Sequence, residues 1–374
     1  MIPSLPHELS DRIVDFLHDD CLALSSCSLT SRSWLPAARY HRFSSVTLVG
    51  NIEPFNVLLD YSPDIALFVS TLILANGYVL SRRLTPQCLS SLLDRLPAVR
   101  RLDLLGLTLK PENVEIIAKQ LSLVSFSAMG CSFYTSGSIQ HLLSSLPRLE
   151  RLTVEDLLWQ DDGGLIDNMP RPNLRAFRVA GLDYPAIDQL CTWLLQDGMD
   201  SNIRELRACI RGKHDAITTQ AMLVKLGGSL TALDLVVDAE SNLTACLSNL
   251  RSCHLGVNLR EMCVPDNHSL PWISRLVGTL SSKYLESATI TIKADNMQDL
   301  RSLDSECGVR VPALVSFDDL TSLDWVALGN VLNRGKLPAL RQVVLEGVGR
   351  KDRLESYLGL GYPDLHDLID FVNT

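Results

Sequence analysis

The sequence predicts an α/β repeat architecture, with parallel strands inside and helices outside, preceded by a small unit of three helices. Three observations carry that prediction. Leucine accounts for 69 of the 374 residues while aromatic residues are only 6%, and a core made from one aliphatic side chain suits a slot that recurs along the chain. Segments of the form apolar-x-x-apolar-x-apolar return at nearly constant spacing through the body of the sequence. The first forty or so residues lack that form and show a helical period.

Composition narrows the function classes before any motif is considered. The chain is longer than one ordinary core of about 100 to 200 residues, and 46% hydrophobic with 21% charged residues excludes a disordered scaffold. With 43 acidic against 34 basic residues the net charge is -9. Such a chain has no long-range attraction for phosphate, so neither nucleic acid nor an anionic membrane is expected as the main partner. The 10 cysteines are scattered, none paired at the two-to-four-residue spacing of a zinc knuckle. They read as buried free thiols, and no metal or other cofactor is expected. The opening MIPSLPHELSDRI has no basic stretch followed by an apolar run, and the most apolar segment, Ile65 to Leu80, is shorter than the ~20 residues that span a bilayer. A cytoplasmic or nuclear location follows as an expectation.

The repeats occupy residues 43–350. Their middle apolar members are Val46, Leu72, Leu102, Val124, Leu152, Phe177, Leu206, Leu233, Met262, Ala288 and Val343, separated by 22 to 30 residues except for a last interval of 55. That long interval predicts one diverged unit, with Val315 and Phe317 or Leu323 and Trp325 as its remnant. The alternation at the end of each hexad has the period of a strand. Between hexads the period becomes helical. Thr85 and Pro86 start one helix, with Leu89, Leu92, Leu93 and Leu96 on a stripe. Pro111 opens another, with Ile116, Ile117 and Leu121 inward, and Pro185 a third, with Ile187, Leu190, Leu194 and Leu195 inward. A strand and a helix every ~20 to 29 residues resembles the leucine-rich repeat, whose units bury their apolar faces only by stacking. The resemblance is to an irregular array. Family repeats carry Asn or Cys three positions after the hexad, whereas here Asn51 and Asn267 fit and Leu107, Leu157 and Leu182 stand in that place. Ordinary α/β alternation with a parallel sheet is the competing reading. Residues 351–374 form a cap, with Pro363 opening a last helix that carries Leu365, Leu368, Ile369 and Phe371.

Residues 1–42 form the small unit. Leu9, Ile13, Phe16 and Leu17 make one helical stripe, His18, Asp19 and Asp20 interrupt it, and Leu22, Leu24, Cys27 and Leu29 supply a second apolar segment. Ser31 or Ser33 caps a third helix from Trp34. Three short helices bury little surface, and such a unit is marginal without a partner. The run Leu5-Pro6-x-Glu8-Leu9, then Ile13, Leu17, Leu22, Leu24, Cys27, Arg32 and Trp34, resembles an F-box, the adaptor-binding motif of Skp-cullin-F-box ubiquitin ligases. Ser10 departs from the apolar residue common after the opening. The resemblance implies contacts to a Skp-family adaptor from Leu5, Pro6, Leu9, Ile13, Leu17, Leu22 and Leu24, with Glu8 near a helix start where the dipole favours a carboxylate. Trp34 either closes the small core or adds area to the adaptor interface.

An F-box joined to leucine-rich repeats implies a non-catalytic substrate receptor, which binds the adaptor, and through it cullin, at one end and a target protein at the other. A scaffold that takes no part in ubiquitination is the alternative. Arg39 to Arg42 lead into the first hexad without a Gly, Ser or Pro linker, so a rigid join is expected. Strand positions between the core leucines face the helix-free side. There the pattern places Arg101, Asp103, Arg151, Thr153, Arg178, Glu205, Arg207, Asp234, Glu261, Thr289 and Gln342. Among them Arg151, Arg178, Arg207 and Asp234 are the candidate target-binding residues, suited to an acidic or phosphorylated segment or, as the plainer reading, to a solvated salt-bridged face. No nucleophile elbow, Walker-type loop, paired metal-spaced histidines or dinucleotide fingerprint is present. Cys253 and His254 adjoin on a helix pattern, where adjacent positions face apart.

Overall fold

The structure, a computed structural model, describes residues 7–76, 85–161, 169–181, 185–196, 202–237, 243, 247–258, 276–278, 282–293, 337–348 and 369–373. The chain divides into two units, Met1–Asn173 and Leu174–Thr374.

The first unit opens with helices α1 (His7–Asp15), α2 (Cys21–Thr30) and α3 (Leu35–Phe43). Asp20 is the N-cap of α2, its carboxylate accepting from the backbone N–H groups of Leu22 and Ala23 at 2.9 Å each, which is why the acidic pair ends one stripe and starts the next. α3 has no side-chain cap: Trp34 takes the N-cap position, and the Ser31 and Ser33 hydroxyls bond each other at 2.8 Å instead of capping the helix. Pro36 lies in the first turn, where its missing N–H costs nothing.

A single residue, Ser44, separates α3 from β1 (Ser45–Val49), and the Ser44 carbonyl accepts from the N–H groups of Ser70 and Thr71 at 3.0 and 2.9 Å. Then follow α4 (Glu53–Tyr61), β2 (Thr71–Ala75), α5 (Pro86–Arg95), β3 (Arg101–Leu105), β4 (Thr108–Leu109), α6 (Pro111–Ala118), β5 (Ser125–Met129), β6 (Ser132–Thr135), α7 (Ser136–Ser144), β7 (Arg151–Glu155) and β8 (Leu158–Asp161). Strands β1, β2, β3, β5 and β7 pair in that order, all parallel, as helical crossovers require. The short strands β4, β6 and β8 form a second parallel sheet. Leu72, Leu74, Leu102 and Leu104 are fully buried, each worth about 1.5–3 kcal/mol of transfer free energy. The Thr85 hydroxyl accepts from Cys88 N–H at 3.3 Å, capping α5 as the sequence predicts.

The register of one repeat differs from the expected one. Leu102 pairs with Phe126 and Leu104 with Ala128, so the core hexad is Leu123, Phe126 and Ala128, two residues on from Leu121, Val124 and Phe126. Leu121 is 60% exposed, and α6 buries Val114 and Ile117, with Ile116 only half-buried. In the corrected register Cys131 takes the place where the family carries Asn or Cys. It is buried, and its thiol donates to the carbonyl of Leu104 in the preceding repeat at 3.4 Å. Strand ends share a second regularity: the residue after β1, β3, β5 and β7 has positive φ, and it is Gly50, Gly106, Gly130 and Asp156 in turn. At Gly106 and Gly130 this geometry lets the amide bond the next strand, to Met129 and Glu155 carbonyls at 2.8 Å each.

The second unit carries β9 (Ala176–Ala180), α8 (Pro185–Leu194), β10 (Glu205–Ile210), α9 (Lys213–Leu226), β11 (Ala232–Val237), β12 (Ser252–Asn258), β13 (Ser287–Lys293), β14 (Gln342–Val348) and β15 (Ile369–Asn373). These strands pair in chain order, again all parallel. Four expectations are corrected here. The strand after β11 is Ser252–Asn258, with Leu233 opposite Cys253, not the hexad around Met262, which lies outside the described residues. Cys253 and His254 therefore belong to a strand, one side chain buried and the other on the opposite face. β13 pairs directly with β14, so no diverged repeat strand stands between them in the sheet. Ile369–Asn373 is a strand, where the sequence predicts the end of a helix.

Candidate functional site

Helix α1 carries two apolar rows, and the structure decides which one packs. Ser10 and Val14 are buried and Leu17 is half-buried. Leu9, Ile13 and Phe16 face outward at 48%, 42% and 78% exposure. The interior of the three-helix unit is small: Val14, Leu24, Cys27 and Ala38, with Leu17, Trp34 and Ala37 packed against it. Of the residues expected at an adaptor surface, Glu8, Leu9, Ile13 and Leu22 are exposed, while Leu24 is fully buried and supports the surface from within. Trp34, half-buried, packs against that core. Leu5 and Pro6 lie outside the described residues. Phe16, just after α1, and Leu29 on α2, the latter 88% exposed, are further outward apolar side chains; their seven-residue offsets from Leu9 and Leu22 are the sequence signal for them. Asp15 ties α1 to α3 through Nε2 of His41 at 2.7 Å.

The helix-free face of the first unit carries Arg101 and Asp103 on β3, Ser125 and Ser127 on β5, and Arg151 and Thr153 on β7. Arg101 grips Asp103 two residues along the same strand, Nε lying 3.1 and 3.0 Å from its two carboxylate oxygens and Nη2 2.8 Å from Oδ2. The hydrogen bond that the guanidinium donates to Asp103 raises its already high pKa, and Asp103 itself is only 6% exposed. Arg151 is exposed, in one row with Ser125 and Arg101.

In the second unit Arg178, Arg207, Asp234, His254 and Thr289 share a row across five strands. Asp234 bridges two neighbours, with Arg207 Nε 3.1 Å from Oδ2 and His254 Nδ1 2.8 Å from Oδ1. The structure thus joins three of the four expected target-binding residues in one row and adds His254, which a helical reading of that stretch hides. Glu205 and Gln342 belong to the row before it, and Glu261 lies outside the described residues.

Among the described residues no group of three or more His, Cys, Asp or Glu side chains is placed to hold a metal, and no helix is long and apolar enough to cross a membrane. The buried thiols are poor nucleophiles. Burial, with the Asp234 carboxylate second, pushes Cys253 up to about 12; burial and then Asp188 push Cys191 higher; and burial raises Cys131 against backbone bonds that lower it.

No family model and no curated protein matches the sequence. Among solved structures, a chain in the crystal structure of the Rad7 and Elc1 complex from yeast is similar over 98% of this chain and 92% of that one, at 11% identity and a TM-score of 0.37. So loose a superposition transfers no function. The architecture is leucine-rich-repeat-like.

Proposed function

We propose that the chain is a non-catalytic substrate receptor of a Skp-cullin-F-box-type ubiquitin ligase. Helices α1 to α3 bind the Skp-family adaptor, and the repeats hold a target protein. The observation that supports this most is the outward exposure of Leu9 and Ile13 on α1, of Phe16 just after it and of Leu22 and Leu29 on α2, in a unit with four buried apolar side chains among the described residues. Exposing that much apolar side chain on so small a core is costly in water and favourable against a partner. The F-box resemblance adds Leu5, Pro6 and Glu8 as adaptor contacts in this reading. In this reading the receptor acts by effective concentration, holding adaptor and target on one chain, with no chemistry of its own.

The test is co-purification with a Skp-type adaptor and cullin from cell extract, comparing the wild type with Ile13→Asp and Leu5→Ala/Pro6→Ala variants. Wild type should bring down both partners and the variants neither. A wild-type chain that brings down no adaptor overturns the proposal.

A further inference from the structure

We infer that the helix-free face of the second unit recognises a carboxylate side chain, Asp or Glu, on an extended segment of the target protein, and that Arg207 takes it. The inference rests on the receptor reading above and deepens it.

The argument begins with register. Arg178 on β9, Arg207 on β10, Asp234 on β11 and His254 on β12 stand side by side, and neighbouring strands are ~4.8 Å apart. Asp234 is engaged from both sides, by Arg207 Nε at 3.1 Å and by His254 Nδ1 at 2.8 Å. It therefore holds the guanidinium by its inner edge. Among the described residues no hydrogen bond is found from the Nη amines of Arg207, whose ion pair with Asp234 runs through Nε, and the side chain is 46% exposed. A guanidinium anchored at Nε with its outer fork open is pre-organised for a two-oxygen acceptor, because its rotamer freedom is lost before any ligand arrives.

The neighbouring rows leave space for a peptide backbone. On the carboxyl-terminal side stand Ala180, Cys209, Val236 and Gly256, small or apolar and without charge. On the other side Ala176 and Ala232 flank Glu205. Charge then selects the ligand. A cationic side chain would meet Arg178 and Arg207. A phosphate dianion would meet two carboxylates, Asp234 beside Arg207 and the exposed Glu205 two residues before it, and repulsion from both scales with its double charge. With two guanidiniums set against two carboxylates the doubled charge brings no net gain, while a planar carboxylate needs only the one open fork of Arg207.

The experiment uses the full chain and fluorescent extended peptides of one Ala/Ser-rich host, differing only at the central residue: Glu, Gln, Lys or phosphoserine. The Glu peptide should bind at least ~10-fold tighter than the Gln and Lys peptides. Arg207→Gln should remove that preference, and Glu205→Gln should raise Glu-peptide affinity about twofold by relieving repulsion. Both positions are exposed, and an unchanged thermal midpoint shows that the variants are folded. Equal binding of Glu and Gln peptides, no binding of any peptide up to about 1 mM, or tighter binding of phosphoserine overturns the inference. Adaptor co-purification is read separately in the same variants. Loss of adaptor with a retained Glu preference removes the receptor reading and leaves this site standing, and the reverse removes the site alone.

Discussion

Leu22 and Leu24 lie two residues apart on α2, yet Leu22 is 82% exposed and Leu24 is fully buried. Positions two apart on a helix point about 200° apart, so one leucine belongs to the surface and the other to the core. The pair separates binding from folding. Leu24→Ala should lower stability by about 2–5 kcal/mol through the cavity it leaves, seen as a lower thermal midpoint. Leu22→Asp should shift stability by no more than about 0.5 kcal/mol and abolish adaptor co-purification.

Gly106 has φ +66°, and a Cβ there would lie 3.3 Å from the Cβ of Asn76. Gly106→Ala should therefore cost about 1–2 kcal/mol from the left-handed conformation alone, with some steric cost added. Gly228 has open space where its Cβ would be, and Gly228→Ala should be neutral or stabilising by up to about 1 kcal/mol through the unfolded chain. Urea midpoints of the two variants should move in opposite directions or differ clearly in size.

The Arg101–Asp103 clamp should respond asymmetrically to truncation. Asp103 is the buried partner and Arg101 the exposed one, with side-chain exposures of 9% and 56%. Arg101→Ala strands a carboxylate with little access to water, whereas Asp103→Ala releases a guanidinium that water can reach. The first should destabilise more, and the double variant less than Arg101→Ala alone. A double-mutant cycle by chemical denaturation measures the difference.

The buried thiols make stability depend on alkaline pH. Burial raises Cys253 to about 12 from an ordinary value of 9.0, so the folded state holds that proton more tightly than the unfolded state does. Its contribution is complete below about pH 9 and is lost as pH climbs towards 12. The slope is at most about 1.4 kcal/mol per pH unit for one such group. Denaturation midpoints should fall between pH 9 and 11, and less steeply in Cys253→Ala. Iodoacetamide near pH 8 should label exposed Cys21 in the folded chain, and Cys131, Cys191 and Cys253 only after unfolding.

Much of this architecture is legible in local pattern. The cap at Thr85, the helix starts at Pro86, Pro111 and Pro185, and the strands around Leu72, Leu102, Leu152 and Leu206 all stand where periodicity places them. Two of the register errors share one cause. In the stretch Leu121 to Ala128 two overlapping hexads satisfy the same pattern, and only pairing of Leu102 with Phe126 chooses between them. Cys131 then emerges as the conserved-type polar position of its repeat. At Leu250 to Val264 the hexads Leu250, Cys253, Leu255 and Leu259, Met262, Val264 both satisfy the pattern, and only pairing of Leu233 with Cys253 chooses the first.

By itself the sequence determined the helical start and the alternation of aliphatic strands with helices up to β11, but not the types of Ser252–Asn258 and Ile369–Asn373, since strand and helix periods and capping are written in neighbouring residues. Only tertiary structure decided which of two apolar rows on α1 turns inward, with Val14 buried and Ile13 exposed, and which residues meet across strands, with Asp234 drawing Arg207 and His254 into one row. Those choices depend on what a distant segment presents to a given face, and a pattern that fits two registers equally well becomes single-valued only when the neighbouring strand is in place.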